Sequence, residues 1–64
     1  MIKLNDILSI MEPAQYLRIY VAEKEWYRLN ACAALKVIND KTQQCNVTNV
    51  EICNGLVFIR LEQE

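Results

Sequence analysis

The stretch Val47-Thr48-Asn49-Val50-Glu51-Ile52-Cys53-Asn54-Gly55-Leu56-Val57-Phe58-Ile59-Arg60-Leu61 decides the fold. Two runs rich in β-branched and apolar residues flank Asn54-Gly55, and both turn residues tolerate the positive φ of a two-residue type I′ turn. Pairing outward from that turn sets Ile52 opposite Val57 and Val50 opposite Ile59 on one face. The other face receives Cys53, Leu56, Glu51, Phe58, Asn49 and Arg60. The stretch predicts a β-hairpin with strands over 47–53 and 56–61.

Upstream, residues 40–44 are a polar connector. Before it, Ala31-Cys32-Ala33-Ala34-Leu35-Lys36-Val37-Ile38 favours helix. Asn30 stands where its side chain can cap the first turn, and Ala31, Ala34, Leu35 and Ile38 form the stripe expected to be buried. Further upstream, Tyr16 to Val21 alternates: Leu17, Ile19 and Val21 share one face, Tyr16, Arg18 and Tyr20 the other. The polar break Ala22-Glu23-Lys24-Glu25 leads to a second strand around Trp26-Tyr27-Arg28-Leu29. A three-residue loop at 22–24 puts Tyr27 and Leu29 on the apolar face and Trp26 and Arg28 on the other. A two-residue loop at 23–24 would turn Arg28 into the core, so the three-residue loop is preferred on the cost of burying a charge. At the amino end, Leu4, Ile7, Leu8 and Met11 recur with helical spacing, predicting a helix over about 3–12 that stops before Pro13.

The order is helix, hairpin, helix, hairpin. Such an αββαββ chain is satisfied by a two-layer α+β domain spanning 1–64, with a four-stranded, mainly antiparallel sheet and both helices on one face. A chain of 64 residues buries only about 60% of the surface its unfolded form exposes, so a partner subunit is expected, most simply as a homodimer.

Composition narrows the function. The chain has no His and one Gly, which removes the commonest catalytic base and metal ligand and any phosphate-cradling glycine loop. Cys32, Cys45 and Cys53 are odd in number, contain no C-x-x-C pair and fit reduced thiols of a cytosolic protein. Glu23 and Glu25 read as a solvated turn. No enzyme activity, metal or cofactor is expected. Seven basic against eight acidic residues give a formal charge of −1, too little positive field for general nucleic-acid affinity. No run of about eighteen apolar residues exists to span a membrane, and the opening residues lack the features of a secretory leader.

With both helices on one face, the opposite face of the sheet collects Tyr16, Arg18, Tyr20, Trp26, Arg28, Phe58 and Arg60. These are all three arginines and four of the five aromatics, while Lys3, Lys24, Lys36 and Lys41 fall in helices and loops. Tyr, Trp and Arg are the types enriched at interface hot spots, which makes these seven residues the candidate protein-binding surface. Two other readings stand beside it. Cross-strand arginine and aromatic pairs are ordinary sheet stabilisers, closed by solvent or by a second copy. Aromatic-bearing sheets also stack single-stranded nucleic acid or nucleotides. A structural subunit of a larger assembly is a further alternative.

The run Met1-Ile2-Lys3-Leu4-Asn5-Asp6-Ile7-Leu8, the strand Leu17-Arg18-Ile19-Tyr20 and the closing Leu56-Val57-Phe58-Ile59-Arg60-Leu61 resemble a loose group of small proteins encoded on phages and other mobile elements. Members open with a Lys-x-Lys-Asp-Leu-Leu-type helix followed by an Arg-Ile-Tyr-type strand. The chain departs from them in lacking the Asp after the Tyr and the Gly after the second strand. The resemblance implies a non-enzymatic accessory protein in the host cytosol that binds and blocks a host defence protein, as anti-CRISPR proteins do.

Overall fold

The computed structural model describes residues 2–62. Its elements are α1 (Leu4–Ile10), β1 (Tyr16–Val21), β2 (Lys24–Asn30), α2 (Ala31–Val37), α3 (Asp40–Gln43), β3 (Val47–Cys53) and β4 (Leu56–Leu61). The domain is α+β. Its strands form one sheet in the order β2-β1-β4-β3. Each hairpin is antiparallel, but β1 and β4 lie side by side in parallel, so the sheet is mixed. The composition of the strands explains the order. β1 and β4 supply Leu17, Ile19, Val57, Ile59 and Leu61 to the buried core, whereas β2 and β3 are more polar and take the edges.

Ile19 lies opposite Ile59 across the parallel pair, and both are fully buried. Leu4 and Leu8 of α1, Ala31 and Ala34 of α2 and Ile38 just beyond it close the core from the helix side. Leu35 does not join that stripe: it is 40% exposed at the edge of the helix layer. The small Ala31 and Ala34 let α2 sit close to the sheet, and a leucine one position round the helix falls outside the contact. Asn30 caps α2 as its position predicts, its side-chain oxygen accepting from the Ala33 N–H at 2.8 Å. The N–H groups of Ala31 and Cys32 donate to the carbonyls of Gln15 and Pro13, both at 3.0 Å. These bonds satisfy donors that a helix start leaves without intrahelical partners.

The connector after α2 is more ordered than its polarity suggests. It contains α3, and Gln43 is the one buried polar residue among those described. Its amide nitrogen donates to the carbonyls of Ile38 at 2.7 Å and Leu35 at 3.3 Å, and its amide oxygen accepts from Asn5 Nδ2 at 2.7 Å. One side chain thereby satisfies carbonyls at the end of α2 and ties them to α1. Asn39 caps α3 through a 2.8 Å bond from the Thr42 N–H.

The two hairpins use the same kind of turn. Asn54 and Gly55 have φ of 51° and 78°, as the dipeptide predicts. Ala22 and Glu23 adopt 50° and 65°, so the first loop has two residues, not the three expected at 22–24. A bulge restores the phase: Tyr20 pairs with Glu25 but Ile19 pairs with Tyr27, leaving Trp26 as the extra residue. Tyr27 and Leu29 reach the apolar face and Arg28 the other, as expected, while Trp26 is displaced.

Two measurements check these points. Gln43→Leu, similar in size but unable to bond the α2 carbonyls, lowers stability by about 2 kcal/mol, read as a lower urea midpoint with unchanged slope. Glu23→Gly relieves a left-handed residue that carries a Cβ and raises stability by about 0.5–1 kcal/mol in the same assay.

Candidate functional site

The open face is built by alternation. β1 and β4 bury every second side chain, so Arg18, Tyr20, Phe58 and Arg60 project together from the two central strands. Two rows cross the sheet. In the first, Arg28, Arg18, Phe58 and Glu51 occupy successive register positions; in the second, Glu25, Tyr20, Arg60 and Asn49 do.

Contacts within this face are specific. The Arg18 guanidinium lies over the Phe58 ring, 5.8 Å from its centroid, and that of Arg60 lies over Tyr20 at 5.5 Å. The Tyr20 and Phe58 rings are 6.4 Å apart and tilted by 42°. Such arginine and aromatic contacts are each favourable by about 0.5–1 kcal/mol on a solvated face, and they hold the central side chains in defined positions. Tyr16, 63% exposed, stands at the start of β1 on the same face and makes none of these ring contacts.

Glu25 is the residue that sequence reasoning missed, having been assigned to an exposed turn. The shorter loop and the bulge move it opposite Tyr20, where its carboxylate accepts from Arg28 Nε at 3.0 Å and Nη2 at 2.8 Å. It also lies 3.7 Å from Arg18 Nε, an ion pair too long for a hydrogen bond. Arg18 Nε is shielded from solvent and has no hydrogen-bond acceptor among the described residues. The hydrogen bond from Arg28 is the largest influence on the Glu25 carboxyl; it outweighs the opposing desolvation and, with the charges of Arg28 and Arg18, holds the carboxyl below the ordinary glutamate value. The same bond raises the value of Arg28. One carboxylate is thus shared by two of the three arginines, and Glu51 adds a second negative charge to the face.

Trp26 is not part of this cluster. The bulge turns it to the helix side, where it lines a hollow of about 560 Å³ with Val21, Lys24, Lys41, Thr42 and Cys45. The Cys45 thiol there donates to the Lys41 carbonyl at 3.7 Å. All three cysteines are free thiols, and no group of three or more Cys, Asp or Glu side chains among the described residues is placed to hold a metal ion. No helix among them is long and apolar enough to cross a membrane.

Of the seven residues singled out from the sequence, the structure brings five together: Arg18, Tyr20, Arg28, Phe58 and Arg60. Tyr16 lies at the margin and Trp26 lies elsewhere. Comparison of the chain with protein-family models, curated proteins and solved structures finds no match.

The charge arrangement has a pH signature. A carboxyl whose folded-state value is depressed contributes stability above its unfolded value and loses it as pH falls through the folded one. In a carboxyl-detected NMR titration, Glu25 therefore titrates below the ordinary glutamate midpoint of about 4.3, and Arg28→Ala returns it towards that value.

Proposed function

We propose that this chain is a non-catalytic protein-binding module that occupies the surface of a larger protein through the open face of its sheet. The observation that carries the reading is the preassembled cluster of Arg18, Tyr20, Phe58 and Arg60, with Arg28 and Tyr16 beside it. Aromatic and arginine side chains held in place before contact lose little conformational freedom on binding, and they are the types that dominate interface energetics. Charge favours a protein over a polyanion: Glu25 engages Arg18 and Arg28, and Glu51 shares the face. Nucleic-acid affinity rests on uncompensated positive charge, of which this face keeps little, with Arg18, Arg28 and Arg60 set against Glu25 and Glu51. The resemblance to small phage and mobile-element proteins gives the partner's class as a host defence protein and the consequence of binding as inhibition, in the cytosol of the host cell.

The test is affinity capture from host lysate followed by quantitative binding to the protein recovered. Arg18→Glu combined with Tyr20→Ala weakens that binding by about thirtyfold or more while circular dichroism is unchanged. Lys36→Glu, on the helix side, leaves it unaltered. Equal affinity of the double variant and the parent chain would overturn the assignment of the face, and recovery of nucleic acid with steep salt dependence would overturn the class of partner.

A further inference from the structure

The outer edge of β3 is unlike any other part of the molecule. Residues 2–4 run antiparallel along its beginning, the Leu4 N–H donating to the Cys45 carbonyl at 3.0 Å and the Val47 N–H to that of Ile2 at 2.7 Å. That short segment then leaves the sheet to become α1, and from Thr48 to Cys53 the edge is uncovered. Edge strands are usually protected by Lys, Pro, inward-pointing charge or a bulge, and the one bulge of β3 lies at Thr48, where the uncovered run begins. Residues 48–53 contain neither Lys nor Pro, and their one charge, Glu51, points to the open face. On the helix side Val50 and Ile52 pair with the core residues Ile59 and Val57, yet they are 43% and 76% exposed because no helix extends over them. Beside them a hollow of about 360 Å³ opens between Ile2, Ile7, Val47 and Val50.

We propose that this edge is the interface of a homodimer, in which β3 pairs antiparallel with β3 of a second copy. The occupant follows from self-complementarity. Antiparallel addition about a two-fold axis perpendicular to the sheet keeps like faces together, so Val50 and Ile52 of one protomer meet Val50 and Ile52 of its partner on the helix side. Ile52, the most exposed of these, lies within reach of the partner's hollow beside Val50. A foreign strand would supply the hydrogen bonds but not this reciprocal fit. The addition extends four strands to eight, covers an apolar strip that a chain of this size cannot bury alone, and leaves both open faces exposed on the same side.

Light scattering over a dilution series, with amide hydrogen exchange, tests the interface on the intact chain. The expected mass is that of two chains at high concentration, falling to one on dilution, with those backbone amides of 48–53 that point away from β4 protected only in the concentrated sample. Ile52→Lys, at a solvent-facing site, keeps the circular dichroism spectrum and raises the dissociation constant by about a hundredfold through loss of two symmetric apolar contacts. A chain that remains monomeric at all concentrations overturns the proposal. So does a dimer indifferent to Ile52→Lys but broken by Tyr20→Ala, which would place the contact on the open face. Should Ile52→Lys fail to fold, the exchange pattern of the parent chain decides: concentration-independent exchange at 48–53 overturns the interface.

Discussion

The parallel pairing of β1 with β4 is the constraint on which the rest of the molecule depends. It sets Leu17, Ile19 and Val21 beside Val57, Ile59 and Leu61 in one register and creates the apolar surface that the helices cover. The same pairing acts on the other side of the sheet. Because alternate residues of a strand face opposite ways, aligning the buried set also aligns Arg18 with Phe58 and Tyr20 with Arg60. The core and the binding face are two consequences of one register. A one-residue slip of β1 against β4 would undo both, exposing Leu17, Ile19 and Val21 and turning Arg18 into the core.

Around that pair the chain is held by a few polar devices at element ends. Gln43 closes the end of α2 and joins it to α1; Asn30 and the Gln15 and Pro13 carbonyls receive its beginning. The Gln15 side chain donates to the Tyr16 carbonyl at 2.9 Å and to the Gly55 carbonyl at 2.7 Å, linking the loop before β1 to the turn of the second hairpin. The Gln43–Asn5 and Gln15–Gly55 bonds connect segments far apart in the chain, which matters where the apolar core is small.

Local signals in the sequence carried much of this. The span of β1, the second hairpin with its Asn54-Gly55 turn, the Asn30 cap and the α+β class all follow from alternation and turn chemistry. What failed was non-local or energetically close. Nothing within 16–21 or 56–61 announces that these strands pair in parallel, since the partners are separated by roughly forty residues and each also pairs with its neighbour. The first turn has neither Gly nor Asn, so two- and three-residue loops were nearly equivalent on paper. The structure combines a two-residue turn with a bulge, an arrangement that periodicity does not encode. That one irregularity moved Trp26 off the candidate site and Glu25 into it, lowering the positive charge of the face. Gln43 was hidden for a related reason: its polarity marks a loop, while its role depends on carbonyls that become neighbours only after folding.

The displacement of Trp26 has an optical consequence. It is the only tryptophan in the chain, and the bulge sets it, 53% exposed, at the rim of the hollow it shares with Val21, Thr42 and Cys45, on the side of the sheet away from the arginine and aromatic cluster. Its emission therefore monitors the docking of the α3 region against the end of the first hairpin. Ligands that settle on the opposite surface leave that indole's surroundings unchanged, so the chain carries a built-in fluorophore for its own unfolding and a silent one for recognition.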